Sequence, residues 1–183
     1  MKIFYDCEFI ENGTTIDLIS IGMVTSDGRE YYAVSEEFDH QALLGNPWLV
    51  ENVLPSLPYV RSRGDLAGDS RYLHLDYDHP DWRAVKPRWR IADEVGDFIL
   101  GGATGPDPEL WAWYGAYDHV ALCQLWGPMI DLPEGVPMFT CDLKQEAVRQ
   151  GDPRLPDQPA SVHNALADAW HNVVRARALG LIA

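Results

Sequence analysis

Long apolar runs are missing from this 183-residue chain: nothing in it approaches the roughly 18 consecutive apolar positions that a membrane span requires. The opening Met1-Lys2-Ile3-Phe4-Tyr5-Asp6 also lacks the flanks of a secretory leader. Cysteine is scarce. Cys7, Cys123 and Cys141 are odd in number and form no close pair, which argues against a disulfide framework or a zinc knuckle and points to a reducing cytoplasm. Basic side chains are few as well: 14 Lys and Arg stand against 28 Asp and Glu, a net charge of −14. Broad coating of nucleic-acid phosphates needs many cations, so that mode of binding is disfavoured, whereas an enzyme gripping a short end through metal ions is not. What is present is enough apolar material, 46% of the residues, to bury a core, and the length suits one domain spanning residues 1–183.

The first 35 residues read as three strands. Lys2 to Phe9 alternates, with Ile3, Tyr5, Cys7 and Phe9 on one face and Phe4, Asp6 and Glu8 on the other. Ile16 to Val24 is almost continuously apolar, as in a strand covered on both sides, and Ser26-Asp27-Gly28 turns the chain into a return strand from Arg29 to Ser35. From about residue 40 to residue 90 the periodicity dissolves among prolines and glycines, giving a loop-rich insertion with short helices and no periodic core of its own. Residues 61–90 hold seven of the 14 basic side chains (Arg61, Arg63, Arg71, Arg83, Lys86, Arg88 and Arg90), with Tyr72, Tyr77, Trp82 and Trp89 among them. Two readings stand: a salt-bridged surface loop, or a basic rim for a polyanion. Beyond the insertion, helices are expected at Ile91–Leu100, Asp118–Trp126, Asp142–Gln150 and on the last stretch after Pro159, with strands at Leu110–Tyr114 and Val136–Cys141. The last helix shows Leu166, Trp170, Val173 and Arg177 at helical spacing, widened by Ala169 and Val174. The fold class is therefore α/β: a mixed sheet, three antiparallel strands and then parallel ones, with helices on its faces.

Asp6 and Glu8 are anomalous in an apolar opening strand. At i and i+2 they share a face, and side by side on a central strand they would repel and lose hydration unless a divalent cation neutralised them; on an edge strand they would simply face solvent. Asp118 follows a strand and opens a helix, where it is either an ordinary acid in the first turn or a ligand at the carboxyl end of a strand. His163 and Asp168 would lie about 140° apart in a continuous helix, and converge only if the helix starts at or just after His163.

Taken together, Asp6-x-Glu8, Asp118 after a central strand and His163-x4-Asp168 resemble the DEDDh family of 3'-to-5' exonucleases. The most specific piece is His163-x-Ala165-Leu166-x-Asp168-Ala169. The run Tyr5-Asp6-Cys7-Glu8-Phe9, continued by Leu18-Ile19-Ser20-Ile21-Gly22, is similar to a compact bacterial exoribonuclease group near ribonuclease T and oligoribonuclease. The resemblance implies a ribonuclease H-like fold and two magnesium or manganese ions held by Asp6, Glu8, Asp118 and Asp168, with His163 as general base. It implies hydrolysis of single-stranded RNA 3' ends or overhangs to nucleoside 5'-monophosphates, and a homodimer. Departures are Phe9 where many relatives carry threonine, Ser20 where many carry glutamate, and Tyr114 where asparagine is frequent. Phe9 and Ser20 are the candidate nucleotide-contacting positions. Alternatives are a DNA or short-oligonucleotide 3' exonuclease, or a nucleotide-binding protein that keeps the fold without turnover.

Overall fold

The computed structural model describes residues 1–61, 72–101, 107–158 and 163–183. In chain order the elements are β1 (Lys2–Glu11), β2 (Ile16–Thr25), β3 (Glu30–Ser35), α1 (His40–Gly45), α2 (Pro47–Asn52), β4 (Tyr59–Arg61), β5 (Leu73–Leu75), β6 (Val85–Lys86), α3 (Arg88–Leu100), β7 (Glu109–Ala112), α4 (Ala116–Cys123), β8 (Thr140–Asp142), α5 (Leu143–Arg149) and α6 (Ala165–Ala178). Among them no helix is long and apolar enough to cross a membrane.

Six strands form one sheet in the order β6-β3-β2-β1-β7-β8. The first three are antiparallel neighbours, and β7 and β8 join β1 in parallel, which gives the expected ribonuclease H-like arrangement. Alternation along β1 divides the core. Ile3, Tyr5 and Cys7 pack with Ile91, Val95 and Ile99 of α3 and with Ala121 and Leu122 of α4. Phe4 faces the other way, onto Leu143 and Ala147 of α5 and Ala169, Val173 and Ala176 of α6. Helices thus cover both faces, and β1 lies in the middle of the sheet, not at its edge.

The 40–90 insertion packs Leu43, Leu49, Val53, Leu57, Tyr59 and Leu73 against Ile10, Ile19 and Val34 of the sheet, and three other expectations need correction. Its apolar residues are irregularly spaced because short helices and turns, not one long element, deliver them. The strand expected at Val136–Cys141 is only Thr140–Asp142, since Pro137 has no N–H for a ladder and Val136 closes a turn onto Pro133. The second expected helix starts earlier, at Ala116, and its last turn tightens to a 3₁₀ form over Gln124–Trp126. On α6, the buried face runs through Ala165, Ala169, Asn172, Val173 and Ala176, whereas Arg177 is exposed and Trp170 lies at the margin, its indole donating to Glu30 at 2.9 Å. The reason is close approach. Gly22 of β2 sits under the start of α6, where a Cβ would fall 2.3 Å from the backbone of Ala165 and Leu166, so small residues line the contact.

Candidate active site

At the carboxyl end of β1 the chain opens into a cavity of about 540 Å³. Asp6, Glu8, Asp118, His163 and Asp168, spread over almost the whole sequence, all line it. Different local causes bring each one there.

Asp6 and Glu8 come from β1 by alternation, opposite Gly22 and Ser20 of β2. Just past Glu8 the register slips, from Glu8–Ser20 to Phe9–Leu18, so that Ile19 is unmatched across the ladder and the strand pair bends. β7 pairs with β1 only as far as Phe4, which leaves the N–H of Cys7 without a strand partner. Asp118 takes its place: its Oδ1 accepts from the Cys7 N–H at 2.8 Å. Asp118 therefore does not cap its own helix. It stands in the first turn of α4, buried, and is held across the sheet end by the strand that bears the other two acids.

His163 precedes α6 in a left-handed conformation (φ 65°), and Asn164 is the residue that caps the helix, accepting from the Ala167 N–H at 3.0 Å. That turn resolves the 140° separation. The His163 N–H donates to Asp168 Oδ2 at 2.9 Å, while Gln158 donates to Oδ1. From the insertion, the Ser56 hydroxyl donates to the His163 carbonyl at 2.7 Å, and the Trp48 ring meets the imidazole edge-to-face, centroids 4.7 Å apart. The same hydroxyl lies 2.8 Å from the Val53 carbonyl, so a single proton serves two acceptors.

The electrostatics are those of crowded acids. Burial, then Asp168 and Asp118, push the Glu8 carboxyl up to about 8. Burial raises Asp118 to about 7 against the pull of the Cys7 N–H. Asp6 is held well above the usual carboxylate range by burial and by Asp118, Glu8 and Asp168, with Arg175 acting the other way. Glu8, His163 and Asp168 each present a ligand atom, all within 4.8 Å of one another. Carboxylate oxygens joined by one imidazole, desolvated and short of positive charge, fit a divalent cation of the magnesium or manganese type.

Phe9 lines the cavity and contacts Tyr117 of α4 in a T-shaped pair, centroids 6.0 Å apart. Ser20 does not line it: the side chain is buried on β2, across the strand pair from Glu8. Much of the basic stretch is spent on structure. Arg88 binds Asp17 and Ser35, and Lys86 and Arg90 share Glu94. Arg83 lies over the Trp82 ring, while Arg63 and Arg71 fall outside the described residues. Sequence reasoning missed Trp48, Gln158 and Arg175, which line the cavity together with Trp113 and Tyr114. Arg175 had a signal, seven residues after Asp168 and therefore on the same helix face. Trp48 had none, since nothing periodic surrounds it.

No family model matches the chain. Two proteins of Mycobacterium tuberculosis do: the 3'-5' exoribonuclease Rv2179c of strain H37Rv and the 3'-5' exoribonuclease MT2234.1 of strain CDC 1551. Each is 47% identical over 177 residues, covering 97% of this chain and 92% of the relative. Identity of that order, end to end, extends well beyond a shared fold, and the chain belongs to the family of these 3'-5' exoribonucleases.

Proposed function

We propose that the chain is a metal-dependent 3'-to-5' exoribonuclease of the DEDDh type, releasing nucleoside 5'-monophosphates from single-stranded RNA 3' ends or overhangs. The observation that carries this reading is the meeting of four acids and one imidazole in a single cavity, in a relative of two exoribonucleases. Asp6, Glu8, Asp118 and Asp168 would hold two magnesium or manganese ions, which supply Lewis-acid stabilisation of phosphoryl charge and a more acidic water. His163 accepts the proton of the attacking water at an imidazole nitrogen. Asp168 fixes the backbone of that histidine, and Trp48 restricts its ring. Phe9 offers an aromatic wall to the terminal base. Four large apolar side chains exposed within eleven residues of chain, Met129, Ile130, Met138 and Phe139, are what a homodimer would have to cover.

The test compares RNA and DNA of identical sequence with free and blocked 3' ends. The expected result is a ladder of 5'-monophosphate release from unblocked RNA, stopped by EDTA, restored by magnesium or manganese, and lost in His163→Ala with an unchanged circular-dichroism spectrum. Turnover that survives chelation, or full activity without the imidazole, overturns the reading. Equal cleavage of DNA moves the substrate class and leaves the chemistry in place.

A further inference from the structure

One cation stands out in a wall of acids. Among the described residues that line the cavity, Arg175 is the sole arginine or lysine, in the third turn of α6 and half-buried. Its placement is built. Nη1 donates to Asn172 Oδ1 at 2.8 Å, and the guanidinium lies over the Trp113 ring, 4.4 Å from its centroid. Asn172 is itself fully buried and fixed, donating from Nδ2 to the Tyr5 carbonyl of β1 at 3.0 Å.

A guanidinium beside Asp6 and Asp168 invites a simple explanation, neutralisation of the acids. The geometry does not support it. No carboxylate among the described residues lies within ion-pairing distance of Arg175, although both acids are near enough to feel its charge. Asn172 and Trp113 hold the planar fork, one of its five donors is given to Asn172, and the side chain lines the cavity. Such a fork, preorganised and only partly hydrated, matches the oxygen geometry of phosphate.

Its position along α6 says which phosphate. His163 precedes the helix, Asp168 is in its first turn and Arg175 is seven residues further on, about 10 Å along the axis. His163 is bonded to Asp168 and packed on Trp48 of α2, whereas Arg175 is packed on Trp113, just past β7. Glu8 and Asp168 gather with the imidazole, while Asp168 and Asp6 are the acids whose charge reaches the guanidinium. In-line displacement places the attacking water and the departing 3'-oxygen on opposite sides of the phosphorus. With the proton acceptor at the His163 end, the nucleoside that leaves extends toward the Arg175 end. Resting on the exonuclease reading above, we propose that Arg175 binds the phosphodiester on the 5' side of that leaving nucleoside. It makes the enzyme prefer a substrate with at least one phosphate upstream of the bond it cuts.

Two ribodinucleotides of one sequence, with and without a 5'-phosphate, test this on the magnesium-loaded enzyme. The wild type should cleave the phosphorylated one with kcat/KM higher by roughly tenfold or more, the scale of a charge-assisted contact. In Arg175→Met that ratio should fall to about one, and Arg175→Lys should restore it only in part. In EDTA, anisotropy of a labelled, 5'-phosphorylated dinucleotide should show weaker binding by the Met variant than by wild type, with no chemistry involved. A wild-type ratio near one overturns the proposal while leaving the exonuclease intact. An unchanged ratio in Arg175→Met overturns it too, and equal loss on both dinucleotides assigns the arginine to the scissile phosphate instead. Failure of wild type on every RNA 3' end defeats the underlying reading.

Discussion

Glu8→Gln should raise the melting temperature of the metal-free protein while abolishing its activity. Glu8 is 7% exposed, and its carboxyl titrates at about 8 in the fold against an ordinary 4.5. At pH 7 the unfolded chain carries it ionised, so folding must take up a proton. The cost is set by the distance from 4.5 to 7 and comes to roughly 3 kcal/mol. A group whose carboxyl is raised by folding contributes its stability in full below 4.5 and loses it as pH rises through 8, so the metal-free wild type should weaken steadily across that window. Glutamine carries no such proton, although its amide has a desolvation cost of its own, which makes 3 kcal/mol a ceiling. For a chain of this size about 2–4 °C accompanies each kcal/mol, so the expected gain is several degrees at pH 7 and little at pH 5. Thermal melts followed by circular dichroism in EDTA, from pH 5 to 8, measure it. Magnesium should then narrow or invert the gap, because a ligand bound only by the folded state stabilises wild type by about 2.7 kcal/mol at a hundred times its Kd. A variant that melts no higher than wild type at pH 7, or a gap that does not widen with pH, would refute the idea that uncompensated acid charge strains this site.

Two further perturbations follow from the packing. Ser56→Ala deprives the His163 carbonyl of its donor, and kcat should fall roughly fivefold with KM little changed, the effect of one lost hydrogen bond on a left-handed turn; Ser56→Thr should recover most of it. An unmoved kcat would show that the turn holds itself. Gly22→Ala drives a methyl group into the backbone of Ala165 and Leu166, and should lower stability by about 1–3 kcal/mol in urea titration and reduce turnover, because α6 carries Asp168. Normal stability with full turnover would mean that the helix start shifts at no cost.

How much was legible depends on the range of the cause. Asp6 and Glu8 could be placed on one face from alternation alone, a rule local to a strand. The His163–Asp168 pair could be placed only conditionally, because convergence needed a left-handed residue that no periodicity announces. Trp48 and Ser56 were out of reach: they meet His163 across more than a hundred residues of chain, from turns set by Asn46, Pro47 and Pro55. The buried face of α6 was misjudged for a similar reason. Hydrophobicity favoured Trp170, but the spacing between helix and sheet is decided by Gly22, in another element. Ser20 shows the limit of a matched position, since equivalence along a strand says nothing of whether a shorter side chain still reaches the opening.

The tether between Ser56 and His163 has a consequence for how the molecule fails on heating. The segment that steadies the imidazole is made of short helices whose apolar side chains meet one patch of the sheet, a cluster distinct from those under α3 and α6. Units of that kind open below the global transition. Inactivation should therefore run ahead of melting: catalysis is extinguished while the strands bearing the acids are still intact, and on cooling it returns as soon as this small outwork closes again.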